Sequence, residues 1–241
     1  MKHLKIVAIF TFTLAMATSV AAQNWNWGGI RGEGPVVKET LDVDDFNAVT
    51  LAFSGNVYLQ QGNTQSVVVE AQKNIIENIE TEVRNGHWKI KFDKSVRKHD
   101  RVKIFITVPT LTEASISGSG DIDSEGRFTG LGDFKSRISG SGDINMDIEA
   151  KDVTSTISGS GGIKLSGSAD AIDIQISGSG DVYAEDLQVV DCRVKISGSG
   201  DSRVHATGSL EVRVSGSGDV RYKGRPKVTA KVSGSGDVEA W

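Results

Sequence analysis

The hexapeptide Ile-Ser-Gly-Ser-Gly-Asp, first found at Ile116–Asp121, recurs through the second half of the chain. Six further copies follow, each beginning 22, 19, 19, 20, 18 and 18 residues after the one before. Self-similarity at a nearly constant period is typical of proteins built from stacked structural repeats. The further copies, one of which ends in Gly162 instead of Asp, are Ile138–Asp143, Ile157–Gly162, Ile176–Asp181, Ile196–Asp201, Val214–Asp219 and Val232–Asp237.

Residues on both sides of the hexapeptide alternate between apolar and polar. Before Ile196, for example, Cys192 and Val194 alternate with Arg193 and Lys195, and the other copies repeat this pattern. Alternation with a period of two indicates a β-strand with one buried face and one solvent-facing side. Each repeat is therefore predicted to hold two short strands separated by Ser-Gly-Ser-Gly.

Two all-β architectures fit this repeat: a parallel β-solenoid with one coil per repeat, or an antiparallel meander with one hairpin per repeat. The aligned columns favour the solenoid, because parallel stacking places apolar residues over apolar residues and glycines over glycines. Tight corners need glycine for positive φ or close backbone approach, whereas a hairpin favours a two-residue Asn-Gly or Asp-Gly loop. We expect an all-β parallel β-solenoid, right-handed and β-helix-like by the usual crossover preference.

The predicted repeat turns supply most of the residues singled out by the sequence. Their glycines are Gly118, Gly120, Gly140, Gly142, Gly159, Gly161, Gly178, Gly180, Gly198, Gly200, Gly216, Gly218, Gly234 and Gly236. Their acidic residues are Asp121, Asp143, Asp181, Asp201, Asp219 and Asp237.

Residues 1–22 have the features of an export signal. Lys2 and Lys5 precede an apolar run, Ile6–Ala17, and small residues end at a cleavage site between Ala22 and Gln23. The apolar run is shorter than the roughly 20 residues of a membrane-spanning helix, although an uncleaved anchor is the alternative. We therefore expect an exported protein, in the periplasm, at the outer-membrane surface or secreted, without a transmembrane span in its mature form.

The remainder of the chain divides into three predicted parts. Residues 23–35 are Gly-rich and Asn-rich and are predicted to form a flexible leader. Residues 36–110 alternate without the regular turn, so we expect an atypical N-terminal β region that caps the open end of the solenoid. Residues 111–241 are predicted to form the repeat solenoid itself.

The charge of the chain is moderate but unevenly distributed. The formal net charge is −4, which gives no overall nucleic-acid-binding footprint. The last repeats are basic, and many of their cations fall in outward-facing columns. These cations either form a flank for an anionic glycan or surface polymer, or simply form a solvated face; they are Arg193, Lys195, Arg203, Arg213, Arg221 and Lys231.

The repeated Asp residues are the strongest candidates for a ligand-binding role. Stacked carboxylates repel one another unless they accept turn N–H groups or share a cation, and calcium prefers such oxygen ligands. The Gly-Asp spacing differs from that of calcium-binding nonapeptide repeats, so the turn-capping role is favoured and no cofactor is expected, with calcium as the alternative. The only cysteine, Cys192, cannot form an internal disulfide and falls in an apolar column, which favours burial over reactivity.

Nothing in the sequence forms a recognisable catalytic motif. His87, His99 and His205 share no metal-ligand spacing, and the serines belong to the turns. Some parallel β-helices process polysaccharides with grouped carboxylates and basic residues, so a pectinase-like enzyme is the alternative to a binding protein. Asp residues that recur at nearly every repeat indicate a structural turn more than a single active site.

Three longer segments and the repeat together resemble a known family. The segments are Asn56–Gly62 (NVYLQQG), Val67–Val83 (VVVEAQKNIIENIETEV) and Val102–Ile122 (VKIFITVPTLTEASISGSGDI). With the export signal and the repeated SGSGD, they resemble the head GIN domain family of auto-transporter adhesins, common in Bacteroidetes-like bacteria, over roughly residues 43–241. The resemblance implies an all-β, helix-like fold and an adhesin role. It implies no catalytic residues and leaves the oligomeric state open. We expect a non-enzymatic protein whose partner is a glycan or a cell-envelope or host-surface component.

Overall fold

The computed structural model describes residues 28–241. These residues are almost entirely β-structure, with a single four-residue helix. The helix is α1 (Lys73–Ile76). The strands are β1 (Ile30–Arg31), β2 (Val36–Thr40), β3 (Ala48–Leu51), β4 (Asn56–Gln61), β5 (Ser66–Gln72), β6 (Val83–Arg84), β7 (His87–Ile90), β8 (Val96–Lys98), β9 (Lys103–Val108), β10 (Glu113–Ile116), β11 (Asp121–Gly140), β12 (Asp143–Gly159), β13 (Gly162–Gly178), β14 (Asp181–Gly198), β15 (Ser202–Gly216), β16 (Val220–Lys223), β17 (Lys227–Gly234) and β18 (Val238–Ala240).

The repeats form the coils of a parallel β-solenoid, as predicted. Strands β11 to β15 each follow one coil and pair in parallel with the equivalent strand of the next. The antiparallel meander is therefore wrong. The register is set by the first residue of each hexapeptide, which lies directly over its equivalents along the stack: Ile116, Ile138, Ile157, Ile176, Ile196, Val214 and Val232.

The apolar columns form one continuous core. In the column four residues before the hexapeptide, Phe134, Val153, Ile172, Cys192 and Leu210 are all buried. Because parallel pairing puts each residue over its equivalent, alternating side chains on every coil contribute to the same interior. Burial of β-branched and aliphatic side chains along this interior is the main source of stability in a chain without disulfides.

The two N-terminal coils are stacked in a different order from the sequence. Strands β3 and β4 lie against β10 and β11, whereas the later strands β7 and β9 lie outside β3 and β4. The chain thus builds an inner coil, moves to the outermost coil, and returns past the first to begin the repeats. The repeat spacing gave no indication of this exchange, because residues 36–110 lack the regular turn.

Antiparallel strands close this N-terminal end. Strand β5 pairs antiparallel with β9, β2 pairs with β5, and β6 pairs with β7. Asn85 and Gly86 join β6 to β7 with φ values of 54° and 71°, the positive φ values that a tight Asn-Gly hairpin turn requires. Inside the closure, the buried Trp88 ring packs 5.4 Å from the Phe46 ring, centroid to centroid.

Part of the predicted leader is ordered. Strand β1, within residues 23–35, pairs in parallel with β8, and the Ile30 N–H donates to the carbonyl of Ser95 over 2.8 Å. Composition alone suggested flexibility here, because Gly and Asn are poor strand formers. The structure shows that two residues of this segment find a partner in the charged loop that follows β7.

The C-terminal end differs because nothing among residues 28–241 covers its last coil. All eight residues of β17 are exposed, although the equivalents of its apolar positions in the preceding coil, Leu210, Val212 and Val214, are buried. Val228 and Val232 are 37% and 39% exposed. Within the described part of the chain, no helix is long and apolar enough to cross a membrane.

Candidate functional site

The glycines of the hexapeptide let the coils approach closely at one corner. From the second copy onward, the first glycine of each Ser-Gly-Ser-Gly has a φ between 128° and 152°. A Cβ atom on Gly198 would overlap the carbonyl oxygen of Gly178, and one on Gly200 would overlap that of Gly180. Both glycine columns are therefore required by backbone contact between successive coils, as well as by conformation at the first of them.

The Asp residues beside this corner cap the backbone of the next coil. Oδ1 of Asp181 accepts the N–H of Asp201 over 2.8 Å, and Asp201 accepts that of Asp219 over 2.8 Å. Asp219 accepts the N–H of Asp237 over 2.9 Å. Each carboxylate thus ties one coil to its neighbour, which is the turn-capping arrangement favoured from the sequence.

The ladder is interrupted at Gly162. Asp143 Oδ1 still accepts the Gly162 N–H over 2.8 Å, but Gly162 offers no carboxylate to the coil that follows. The N–H of Asp181 instead donates to the carbonyl of Gly161 over 3.2 Å. At the first copy, Asp121 Oδ2 accepts a hydrogen bond from the side-chain amide of Asn56 over 3.3 Å. Asp carboxylates therefore cap the next coil over most of the solenoid. At Gly162, the backbone carbonyl of Gly161 takes the place of the missing carboxylate.

The six cations expected to form one glycan-binding flank lie on two different strands of the coil. Lys195, Arg213 and Lys231 are stacked directly over one another, one residue before the hexapeptide, and are exposed. These three residues are called the basic stack below. Arg213 pairs with Glu211 over 2.8 Å, whereas Lys195 and Lys231 have no acidic partner among residues 28–241.

Arg193 lies beside the basic stack but is already paired. Its guanidinium contacts Asp173 and Glu211, each over 3.3 Å. These two acids raise the pKa of Arg193 above its usual value, mainly through the hydrogen bond with Glu211. Because its charge is balanced by neighbours in the coils before and after it, Arg193 contributes little free positive charge to this flank.

Arg203 and Arg221 lie beyond the glycine corner, stacked on each other after the hexapeptide. Arg203 is 5.2 Å from the Tyr183 ring centroid and 5.9 Å from that of Trp241. Arg221 pairs with Glu239 over 2.8 Å. These five residues are called the Trp241 cluster below. The sequence indicated the two arginines, but the aromatic side chains around them came from neighbouring coils and the last residues.

A shallow groove of about 310 Å³ crosses the coils near Arg193. Its polar wall includes Asp152, Asp173, Asp191 and Glu211, and Asp191 accepts a hydrogen bond from the Ser209 hydroxyl over 2.6 Å. These acids lie in two columns in which the intervening coils carry other residue types, Ala171 in one and Arg193 in the other, so the hexapeptide alignment did not single them out. The groove brings carboxylates and a basic residue together, as the polysaccharide-processing alternative requires.

The remaining candidates have simpler environments. Cys192 is buried in the core, and this burial raises the pKa of its thiol to about 12. Among residues 28–241, no three His, Cys, Asp or Glu side chains are grouped so that they could hold a metal ion. The predicted cleavage site, Ala22 and Gln23, lies outside the described residues.

Comparisons with known proteins agree with the repeat and the solenoid. The chain matches the family model described as "Putative auto-transporter adhesin, head GIN domain" over residues 45–226. The chain belongs to this family. No curated protein matches the head GIN chain.

Solved structures show the same architecture. A "putative adhesin" of Bacteroides fragilis NCTC 9343 is 26% identical, with a TM-score of 0.83, and the match covers 88% of this chain and 100% of that one. A "putative adhesin" of Parabacteroides distasonis ATCC 8503 is 26% identical, with a TM-score of 0.73, covering 89% and 100%. A "putative lipid binding protein" of the same organism is 23% identical, with a TM-score of 0.72 and the same coverage, and shows the fold alone.

Proposed function

We propose that this head GIN protein is an exported, non-enzymatic adhesin that binds a glycan of the cell envelope or of a host surface through the basic stack. Membership of an adhesin family supports the binding role, and the export signal predicted for residues 1–22 supports the location. The two solved relatives at 26% identity come from Bacteroides and Parabacteroides and are also described as adhesins.

The spacing of the basic stack is the observation that carries this proposal. Equivalent residues of neighbouring parallel strands lie about 4.8 Å apart, so the backbone positions of Lys195, Arg213 and Lys231 form a regular row. Arg213 is paired with Glu211, and the two lysines carry the unpaired positive charge of the row. Exposed serine hydroxyls, such as Ser197 and Ser215, lie two residues further along the same face. A row of regularly spaced positive charges with adjacent hydroxyls suits a polymer that carries repeated anionic groups.

A glycan array with residues 23–241 tests this proposal. We expect binding to acidic glycans, weakened at least about tenfold in the triple variant K195A/R213A/K231A, with a smaller dependence on salt concentration. The matched control K135A/K151A/K164A removes the same charge from exposed lysines outside the basic stack. Equal losses in both triple variants, or no binding to any glycan, would overturn the proposal.

The export component has its own test. Cleavage at the predicted site would give a mature protein that begins at Gln23. Fractionation of cells that express the full chain, followed by N-terminal sequencing, should recover this mature form outside the cytoplasm. Recovery of only the uncleaved protein in the cytoplasmic fraction would contradict export.

The Asp ladder is proposed to act without calcium. Its carboxylates already accept backbone N–H groups, so the unfavourable approach of equal charges is compensated within the protein. The melting temperature should therefore be the same with calcium and with a chelator. A calcium-dependent increase would show that the ladder also binds cations.

A second candidate function is polysaccharide processing at the groove near Arg193. The observation in its favour is the grouping of Asp152, Asp173 and Asp191 around a basic residue. Incubation with pectin-like and other acidic polysaccharides, followed by reducing-end analysis, tests it directly. Turnover that is lost in the D173N/D191N variant would replace the non-enzymatic proposal, whereas binding without turnover supports it.

A further inference from the structure

Trp241 presents an exposed aromatic ring at the side of the last coil. The residue is 60% exposed, although its backbone N–H donates to the carbonyl of Tyr222 over 2.9 Å. Two cations lie near its ring, Lys223 Nζ at 5.7 Å and Arg203 Cζ at 5.9 Å from the centroid. These distances are close to the outer limit of about 6 Å for cation–π contacts, and the residue stays largely exposed beside both cations.

The charges in and beside the Trp241 cluster are balanced, unlike those of Lys195 and Lys231 in the basic stack. Arg221 Nε donates to Glu239 Oε1 over 2.8 Å, and Lys223 lies 3.6 Å from Asp186. Arg203 lies 3.8 Å from Glu185. The cluster therefore offers hydrogen-bond donors and acceptors in pairs. Because it has no excess of positive charge, it is poorly suited to bind a polyanion.

The open space beside the ring is large enough for a small ligand. A cavity of about 390 Å³ is lined by Arg203, Arg221, Glu239, Ala240 and Trp241. Within residues 28–241, the Arg221 guanidinium donates only through Nε, so most of its N–H groups remain available. Glu239 supplies carboxylate oxygens on the same side. The flat apolar face of the Trp241 ring thus lies beside a hydrogen-bond donor, Arg221, and an acceptor, Glu239.

We propose that the Trp241 cluster binds one pyranose unit of an uncharged glycan. The aliphatic C–H face of the sugar ring would lie on the indole, while neighbouring hydroxyls accept from Arg221 and donate to Glu239. Because these groups are held in place before binding, little conformational entropy is lost on association. This inference rests on the proposed glycan-binding function but assigns a second ligand class to a surface separate from the basic stack.

Tryptophan fluorescence reports on this site directly. The chain has four tryptophans, of which Trp88 is fully buried and Trp25 and Trp27 can be replaced by Phe. In the W25F/W27F protein, we expect a saturable emission change on titration with neutral hexasaccharides of glucose, mannose, galactose or N-acetylglucosamine. Replacement of Trp241 by Ala should abolish this change, and isothermal titration should show at least about a tenfold loss of affinity.

Further variants distinguish recognition from a structural effect. E239Q and R221K retain the shape of the site but alter its hydrogen bonds, so each should weaken sugar binding without lowering the melting temperature by more than a few degrees. The triple variant K195A/R213A/K231A should bind the neutral sugars as the parent protein does. Equal affinity in W241A, no binding of any hexasaccharide, or a preference for adenosine monophosphate over sugars would overturn the assignment. Retained binding of acidic glycans in the same preparation would leave the proposed function intact.

Discussion

Ser202 is the one polar residue in an otherwise aliphatic column. It lies between Val182 and Val220, is 1% exposed, and its hydroxyl has no hydrogen-bond partner among the described residues. A buried hydroxyl without a partner costs about 1–3 kcal/mol. Replacement of Ser202 by Val should therefore raise the free energy of unfolding by roughly 1–2 kcal/mol in urea denaturation.

A second buried serine provides the control for this prediction. The Ser155 hydroxyl lies 2.8 Å from that of Ser136, so each serves as the other's partner. Ser155→Val removes one partner and leaves the other hydroxyl unsatisfied, and should lower the stability. If both substitutions changed the stability in the same direction, hydrogen bonding would not be the cause.

The Cys192 thiol should be unreactive toward thiol reagents in the folded protein. Burial raises the pKa of its thiol to about 12, so the reactive thiolate is scarce near neutral pH. We expect a thiol reagent at pH 8 to modify Cys192 only after denaturation. The same shift means that stability falls as the pH rises from the unfolded thiol's pKa toward 12, because the unfolded chain loses its proton first. Rapid labelling of the native protein would contradict the buried position.

At the scale of the element, the glycine corner is the least tolerant part of a coil. A Cβ atom on Gly198 would overlap the Gly178 carbonyl, and its φ of 140° is unfavourable for any other residue. Gly198→Ala should cost more than about 4 kcal/mol or prevent folding, as measured by circular dichroism and thermal melting. Gly132→Ala is the matched control, because nothing lies within 4 Å of its added Cβ. A mild effect at Gly198 would show that the coils can separate at the corner.

Most of a coil could be predicted from the sequence because of the repeat, whereas the parts that vary between repeats could not. Identical columns at Ile176 and Ile196 predict a parallel register, because stacked residues must share one environment. The order of the two N-terminal coils depends on the pairing of β7 with β3 and of β9 with β4, which a segment without the regular turn does not reveal. The Trp241 cluster likewise depends on a contact between Arg203 and the Trp241 ring, which lies outside the column that holds Tyr183, Arg203 and Arg221.

At the scale of the whole molecule, the two ends of the solenoid formed by residues 28–241 are covered differently. Antiparallel strands cover the N-terminal coils, whereas β17 leaves its apolar column uncovered among residues 28–241. Stability in a stacked repeat is carried by interfaces between neighbouring coils, so the last coil has only one such interface. Amide exchange should therefore be fastest in β17 and slow in β13 and β14.

One column allows this asymmetry to be measured with a single type of substitution. Val214 and Val232 are stacked neighbours, but Val214 is 3% exposed and Val232 is 39% exposed. Val214→Ala leaves a space between two coils and should cost roughly 2–3 kcal/mol. Val232→Ala removes methyl groups that are already partly in contact with water, and should cost less than about 1 kcal/mol. Equal losses of unfolding free energy in the two variants would indicate that the last coil is covered in solution. Sedimentation of the parent protein as a larger species would then identify a second copy of the chain as the cover.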